Sequence, residues 1–397
     1  MDFTLAEEQE MLRKMARDFL EKECPESFVR EMEKDDKGYS PELWRQIAEL
    51  GWLRVVFPEK YGGAGGSVLD MAVLFEEMGR VMFPSPALSS VVLGGLTVLA
   101  AGSEEQKSEF IPKIADGDLI LALALTEPSA SWNADGVAVK AVADGDEYVI
   151  DGTKLFVPDA HVADYLLCVA KTGDGAAPEE GLTLFLVDAK SQGLQQTLLK
   201  TVAGDRQSEV VFSGVRVPGE NMVGELNGGW LPLVSALQQG TVMLCAAMIG
   251  AGQRVLELTL DYAKTRVQFD QPIGVNQYVQ DYCINMFSAV ESTRFLTYQA
   301  AWRLSEGLAS DVAVAMAKAR ASDAIDDACL CAQAVFASMG YATEDSVLPL
   351  YTKRVKAAQL YLGDASHHRS IIAKHLEASS LEMPQGKALG LWEEGGS

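Results

Sequence analysis

The feature that most constrains this chain is a double change of period. Up to residue 118 the apolar residues recur at helical spacing, from about 119 they fall into short β-rich runs, and after GENMVGELNGGW long helical stretches return. A chain that switches in this way folds as separate helical and β units, each with an apolar face to bury. The expected class is α+β: an N-terminal helical domain over 1–118, a middle β-barrel-like domain over 119–225, a C-terminal four-helix bundle over 226–386, and a tail over 387–397.

Within the first unit, FTLAEEQEMLRKMARDFLEKE places Leu5, Met11, Leu12, Met15, Phe19 and Leu20 near helical spacing, with Thr4 as a candidate N-cap. Ser40, Pro41 and Glu42 form a start signal for a helix that stops at Gly51. YGGAGGS reads as a turn before a helix through VLDMAVLFEEMGRV. Further helices are expected through SSVVLGGLTVLAAG and from EEQKSEFIPKIADG. The middle runs LILALALTE, YVIDGTKLFV, YLLCVAKT, LTLFLVD and SEVVFSGVRV are separated by Gly, Asp and Pro turns. The last unit predicts helices over 229–265, 275–305, 309–338 and 346–376, long enough for an antiparallel bundle.

With 48% hydrophobic and 22% charged residues the 397-residue chain has the composition of a globular protein. Its formal charge of −23 argues against nucleic acid or an anionic membrane surface as a general partner. The N-terminal sequence lacks a signal-peptide core and no apolar run reads as a membrane span. Six scattered cysteines without CxxC pairs predict reduced thiols, each a small buried hydrophobe, in a cytoplasmic protein.

Four stretches in order resemble the acyl-CoA dehydrogenase family, and the resemblance covers nearly the whole chain: ALTEP (124–128), IDGTKLFVPDAHVADYLLCVAKT (150–172), YAKTRVQFDQPIG (262–274) and MGYATEDSVLPLYTKRVKAAQLYLGDASHHR (339–369). The resemblance implies FAD, an acyl-CoA substrate and α,β-dehydrogenation of its thioester. A carboxylate would take the α-proton while hydride leaves the β-carbon for the flavin. It also implies a tetramer built as a dimer of dimers, with electron-transfer flavoprotein or a similar acceptor. For the cofactor it points to Thr126, Ser131, Phe156, Pro158, Arg266, Phe269, Met339 and Gly340. Arg266 would reach FAD of the partner subunit, where a planar guanidinium suits a diphosphate.

The departures from the family pattern are as informative. Ser131, Trp132 and Asn133 stand where Gly-Ser-Asp is usual, Pro158 has no N–H or hydroxyl to donate, and Asp270 replaces a glycine. Gln238 and Thr241 replace an Asp and an Arg on the CoA side, while Gly240, Ala246 and Ala247 offer no carboxylate. Ala337 and Ser338 replace a Gly-Gly contact, with Gln333 one residue out of register. The usual Tyr-Glu-Gly-Thr reads Tyr361-Leu362-Gly363-Asp364, so the base position holds leucine.

Asp364 is the weak candidate base, with helix N-capping as its competing role. His367 and His368 are adjacent on a helix and diverge, so they are expected to be solvated or cap-associated, and no metal site is expected. Three functions stay open: the base-less subunit of a hetero-oligomer with a paralogous partner, a self-sufficient enzyme with a relocated base, and a non-catalytic scaffold. The several losses together favour the first. The small residues Gly240, Ala246 and Ala247 would leave room for a bulky or ring-bearing acyl group.

Overall fold

The computed structural model describes residues 4–342 and 346–382, the last four by backbone alone. The expected tail over 387–397, the end of the bundle domain from 383, and residues 343–345 of the 339–369 stretch lie outside the described residues.

The N-terminal unit comprises α1 (Glu7–Glu23), α2 (Glu26–Met32), α3 (Pro41–Glu49), α4 (Val68–Arg80), a π-helical turn over Leu88–Gly95, α5 (Leu96–Ala101) and α6 (Glu104–Ala115). The cap of α1 is Ala6, not Thr4: the Gln9 side-chain oxygen accepts from the Ala6 N–H at 3.1 Å. Met11 and Met15 of the expected apolar stripe are exposed, while Ala16 and Leu20 are buried. Ser40 caps α3 with Pro41 in its first turn, and Ser67 with Asp70 forms a capping box on α4. SSVVLGG winds as a π-helix instead of an ordinary α-helix.

The middle unit is one sheet of eight described strands: β1 (Leu121–Ala124), β2 (Lys140–Asp144), β3 (Glu147–Pro158), β4 (Tyr165–Lys171), β5 (Leu182–Asp188), β6 (Leu194–Leu199), β7 (Gln207–Pro218) and β8 (Met222–Val223). The order is β6-β7-β3-β2-β4-β5-β8, with β1 parallel to β4, so the sheet is an open path whose edges are β6 and β8. The strands β1, β4 and β5 are buried on both faces, whereas β2 and β6 are largely exposed. On β4, Leu166, Cys168 and Ala170 enter a core internal to the sheet, whereas Leu167 and Val169 join the core of the helical units.

The C-terminal unit holds α7 (Trp230–Thr265), a small ribbon of β9 (Val267–Gln268) and β10 (Gln271–Pro272), α8 (Gln277–Ser305), α9 (Asp311–Phe336), α10 (Leu348–Leu360) and α11 (Ala365–Glu382). Contrary to the sequence expectation, α7 is long and apolar enough to cross a bilayer, but 67% of its most apolar window is buried in this fold. The helix expected over 346–376 is two helices. Tyr361 is extended, Leu362 and Gly363 have φ of 57° and 92°, and the chain restarts at Ala365. Four of the six cysteines are buried, with Cys283 and Cys331 half-buried.

Candidate active site

The strand end that carries Thr126 is pinned by a buried ion pair. Glu127 accepts from the Val139 N–H at 3.0 Å, the Ala138 N–H at 2.9 Å and Lys154 Nζ at 2.7 Å, and Lys154 also donates to the Leu125 carbonyl. The Leu155 N–H then donates to the Thr126 carbonyl at 2.8 Å, holding β3 beside the ALTEP turn.

That bond brings Thr126 and Phe156 together at one end of the β1 and β3 strands. The β3–β7 register slips between Lys154 and Val157, and in this bulge Phe156 takes φ 54° and turns its ring outward, 47% exposed. Pro158 pairs with Gln207 at the end of the same ladder.

Ser131 does not face this edge freely. Its hydroxyl donates to Asp135 at 3.1 Å and accepts from the Asn133 N–H at 3.2 Å, which shapes the loop and directs Trp132 onto Tyr361. The two rings meet edge to face, 5.8 Å between centroids.

The turn over 361–364 is gripped from both sides. Leu362 is 5% exposed, with its Cδ1 3.3 Å from where a side chain on Gly240 would begin; Leu93 crowds the same point at 2.6 Å. The room that Gly240 was expected to leave for an acyl group is therefore filled, whereas Ala247 does line a cavity. Asp364 accepts from the His367 N–H at 2.8 Å and so caps α11. His368 is buried rather than solvated. Its Nε2 lies 2.9 Å from the Leu362 carbonyl, and burial lowers its pKa to about 4, so the ring is neutral near pH 7. The His367 and His368 rings stand edge-on at 5.1 Å.

Two cavities border this turn, and a third adjoins one of them. An outer one of about 220 Å³ is bounded by Trp132, Leu237, Gln238, Thr241, Leu362 and His368. Gln238 is engaged with Asp311 and Ser310, and the Thr241 hydroxyl donates to the Leu237 carbonyl at 2.8 Å, so neither presents a charge there. An inner cavity of about 240 Å³ is lined by Ser89, Pro158, Asp159, Arg206 and Tyr361. The Trp132–Tyr361 pair stands between these two, Trp132 on the outer and Tyr361 on the inner side. A third, apolar cavity of about 200 Å³ adjoins the inner one through Phe83, Leu88, Leu244 and Arg354.

Sequence reasoning passed over Asp159. The residue has φ 57°, and its carboxylate accepts from the Ser89 hydroxyl at 2.5 Å. Burial pushes its pKa up to about 7, against the opposing effect of Ser89. Lys318 was also missed. Fully buried on α9, it donates to the carbonyls of Ala358, Gln359 and Gly363. A lone Asp after Pro and a lone Lys in an alanine-rich helix carry no local signal of these contacts.

The remaining predicted residues lie apart from the turn. Arg266, Phe269 and Asp270 project on the exposed β9–β10 ribbon, with Phe269 96% exposed and both Phe269 and Asp270 at positive φ. Ala337 has φ 53° and ψ −133°, a conformation suited to glycine. Met339 is exposed, and Gly340 is buried where an added Cβ would meet the Gln333 carbonyl at 2.9 Å. Gln333 itself donates to the Thr352 hydroxyl at 2.9 Å.

These residues fit one wall of the FAD site that the resemblance implies. Phe156 offers an outward apolar ring beside Thr126, and the exposed Arg266 offers an always-charged guanidinium for a diphosphate outside this chain.

Family models describe the whole architecture: the acyl-CoA dehydrogenase N-terminal domain matches residues 6–118, the middle domain 122–215 and the C-terminal domain 227–377. An acyl-CoA dehydrogenase of Bacillus subtilis (strain 168) is 32% identical over 381 residues, covering 94% of this chain and 98% of that protein. The caffeyl-CoA reductase-Etf complex subunit CarC of Acetobacterium woodii is 31% identical over 373 residues, covering 93% and 98%. Among solved structures, butyryl-CoA dehydrogenase from Megasphaera elsdenii superposes with a TM-score of 0.87 at 29% identity, covering 95% of this chain and all (100%) of that one. With three family models spanning its three units and a relative of this similarity along its length, the chain belongs to the acyl-CoA dehydrogenase family.

Proposed function

We propose that this chain is the base-less subunit of a hetero-oligomeric, FAD-dependent acyl-CoA dehydrogenase, with a paralogous subunit supplying the carboxylate. The observation that carries the reading is Leu362. At the position of the family's usual base it is buried against Leu93 and Gly240, and its backbone is held by His368. A leucine there can exclude water but cannot take a proton. Asp364, the nearest carboxyl in the sequence, is committed to capping α11.

Members of the family bind FAD, which when bound supplies the hydride acceptor for α,β-dehydrogenation of an acyl-CoA thioester. In this reading Thr126 and Phe156 form a wall for the flavin ring, and Arg266 reaches a diphosphate in the partner subunit. The exposed Phe269, Tyr278, Ile284 and Phe287 on the ribbon and α8 support an apolar interface there. Ser131, Pro158, Met339 and Gly340 would frame the cofactor through backbone shape instead of charge. The Etf complex named for the Acetobacterium relative supports electron-transfer flavoprotein as the acceptor. Unpaired cysteines support a cytoplasmic setting.

A second reading has its own observation. Asp159 lines the inner cavity together with Tyr361 and has a pKa near 7, which suits a relocated base. The visible spectrum separates the two. The chain purified alone is expected to lack acyl-CoA-dependent flavin bleaching and to gain it only with a paralogous subunit. A yellow chain that bleaches alone, and ceases to do so as Asp159→Asn, would sink the base-less reading in favour of the second.

A further inference from the structure

The apolar cavity is walled by Phe75, Met78, Met82, Leu244 and Met248, side chains that suit a bulky hydrocarbon and, in the case of methionine, adapt to its shape. Among the described residues lining it, one is charged: Arg354 of α10. Arg354 also lines the inner cavity, so it stands where the two spaces join.

Its guanidinium is only partly compensated: Glu33 and Asp205 supply negative charge nearby, but few of its donors are paired. Nη1 donates to the Met82 carbonyl at 3.2 Å, Nη2 lies 3.6 Å from a Glu33 oxygen, and Nε is buried with no hydrogen-bond partner. That Glu33 oxygen is closer to Lys353, at 2.7 Å, so the carboxylate is shared. A guanidinium has five N–H donors in a rigid fork, and a buried donor left unused costs stability. Burial correspondingly lowers the Arg354 pKa.

An apolar cavity with one under-used guanidinium at its junction matches a hydrocarbon that carries an oxygen. We propose that Arg354 determines acyl specificity by receiving a hydrogen-bond-accepting oxygen, ketone or carboxylate, borne by the distal part of a ring-bearing acyl group. This rests on the acyl-CoA dehydrogenase reading of the chain, but not on which subunit supplies the base. In a binding site such a residue favours the oxygenated ligand twice over, because the plain hydrocarbon leaves the donors buried and unpaired.

The test is equilibrium binding, read by calorimetry on the full chain, alone and assembled with a paralogous subunit. The probes are cyclohexylacetyl-CoA, its ring-ketone analogue and its ring-carboxylate analogue. An oxygenated analogue is expected to bind about tenfold more tightly than the parent. Arg354→Met is expected to erase that difference, with the parent bound at least as tightly as before because no buried donor is then left unpaired against it. Whether ketone or carboxylate gains more identifies the oxygen. Should Arg354→Met fail to fold, the ordering in the unsubstituted chain and its weakening in Arg354→Lys decide the matter. Equal affinities for the three probes, binding of none, or a preference that survives in Arg354→Met would each overturn the assignment. Turnover is not read, so a chain that proves to carry its own base leaves this result unaffected.

Discussion

Lys318 Nζ donates to the Gly363 carbonyl at 3.0 Å, from the middle of α9 into the turn that displays Leu362. The same ammonium donates to Ala358 and Gln359, so it closes the C-terminal end of α10, where carbonyls lack partners within the helix. Lys318→Met would leave these acceptors unpaired, and a loss of about 2–4 kcal/mol is expected from chemical denaturation. Burial depresses the Lys318 pKa from 10.5 to about 8. Between those values the unfolded chain holds a proton that the folded chain has released, so this group makes stability rise with pH across that window. The deficit of Lys318→Met should therefore grow from pH 8 to pH 10, and a constant deficit would show that the amine keeps its proton.

The Glu127–Lys154 pair fixes the strand ends that hold the buried Thr126 and the exposed Phe156. Both members are buried, so removing one charge strands the other. Glu127→Gln is expected to cost about 3–5 kcal/mol, whereas Glu127→Gln combined with Lys154→Met should cost less, because the amide oxygen still accepts from the Ala138 and Val139 N–H groups and no buried charge is stranded. Urea unfolding of the two variants checks this ordering, and equal losses would contradict it.

Much of the architecture was legible because it is written locally. Ser40 with Pro41, and Ser67 with Asp70, announce helix starts through contacts within one turn. That Leu362 stands where the resemblance implies a base is an expectation from the sequence alone. What surrounds it was not readable. The Ser89–Asp159, Trp132–Tyr361 and Lys318–Gly363 contacts each join separate elements, and no local periodicity encodes them. The break in the helix expected over 346–376 was only half visible: Asp364 signalled a cap, but the positive φ at Leu362 comes from tertiary packing. Likewise the outward turn of Phe156 depends on a bulge against β7 that the alternating pattern does not announce.

Asp159 gives the opposite pH dependence to Lys318. Its pKa rises from 3.8 to about 7 because burial disfavours the carboxylate. Between these values the folded chain keeps a proton that the unfolded chain has lost, so stability falls as pH rises through the window. Asp159→Asn keeps an acceptor for Ser89 and cannot ionise. It should be more stable than the parent at pH 8, by on the order of 1–3 kcal/mol given the residue's intermediate exposure, with little difference at pH 4. Thermal melts at the two pH values test this, and a variant less stable at pH 8 would contradict it.

Ala337 ends α9 with φ 53° and ψ −133°, where a Cβ is strained. Ala337→Gly relieves that strain at the cost of a more flexible unfolded chain. A net gain of about 1 kcal/mol is expected in denaturant unfolding, and a loss would mean that the Ala337 methyl makes packing contacts worth more than the strain.

Leu362→Glu places a carboxyl where the base-less reading finds one missing. The introduced group would enter an apolar position against Leu93 and Gly240, beside a His368 whose own pKa is lowered to about 4 and which is therefore neutral near pH 7. Lys318, the cation beside this turn, is already committed to the carbonyls of Ala358, Gln359 and Gly363, so burial should dominate: the introduced pKa should rise, and stability should drop by about 2–4 kcal/mol. A raised folded-state pKa means that the loss grows with pH, so the variant should melt closer to the parent at pH 5 than at pH 8. The base-less reading also predicts that this substitution alone leaves the isolated chain inactive. Trp132 and Tyr361 still stand between the outer and inner cavities, and Gln238 and Thr241 still present no charge to a CoA moiety. Flavin bleaching by acyl-CoA in Leu362→Glu without a partner would show that the proton acceptor was the sole missing part.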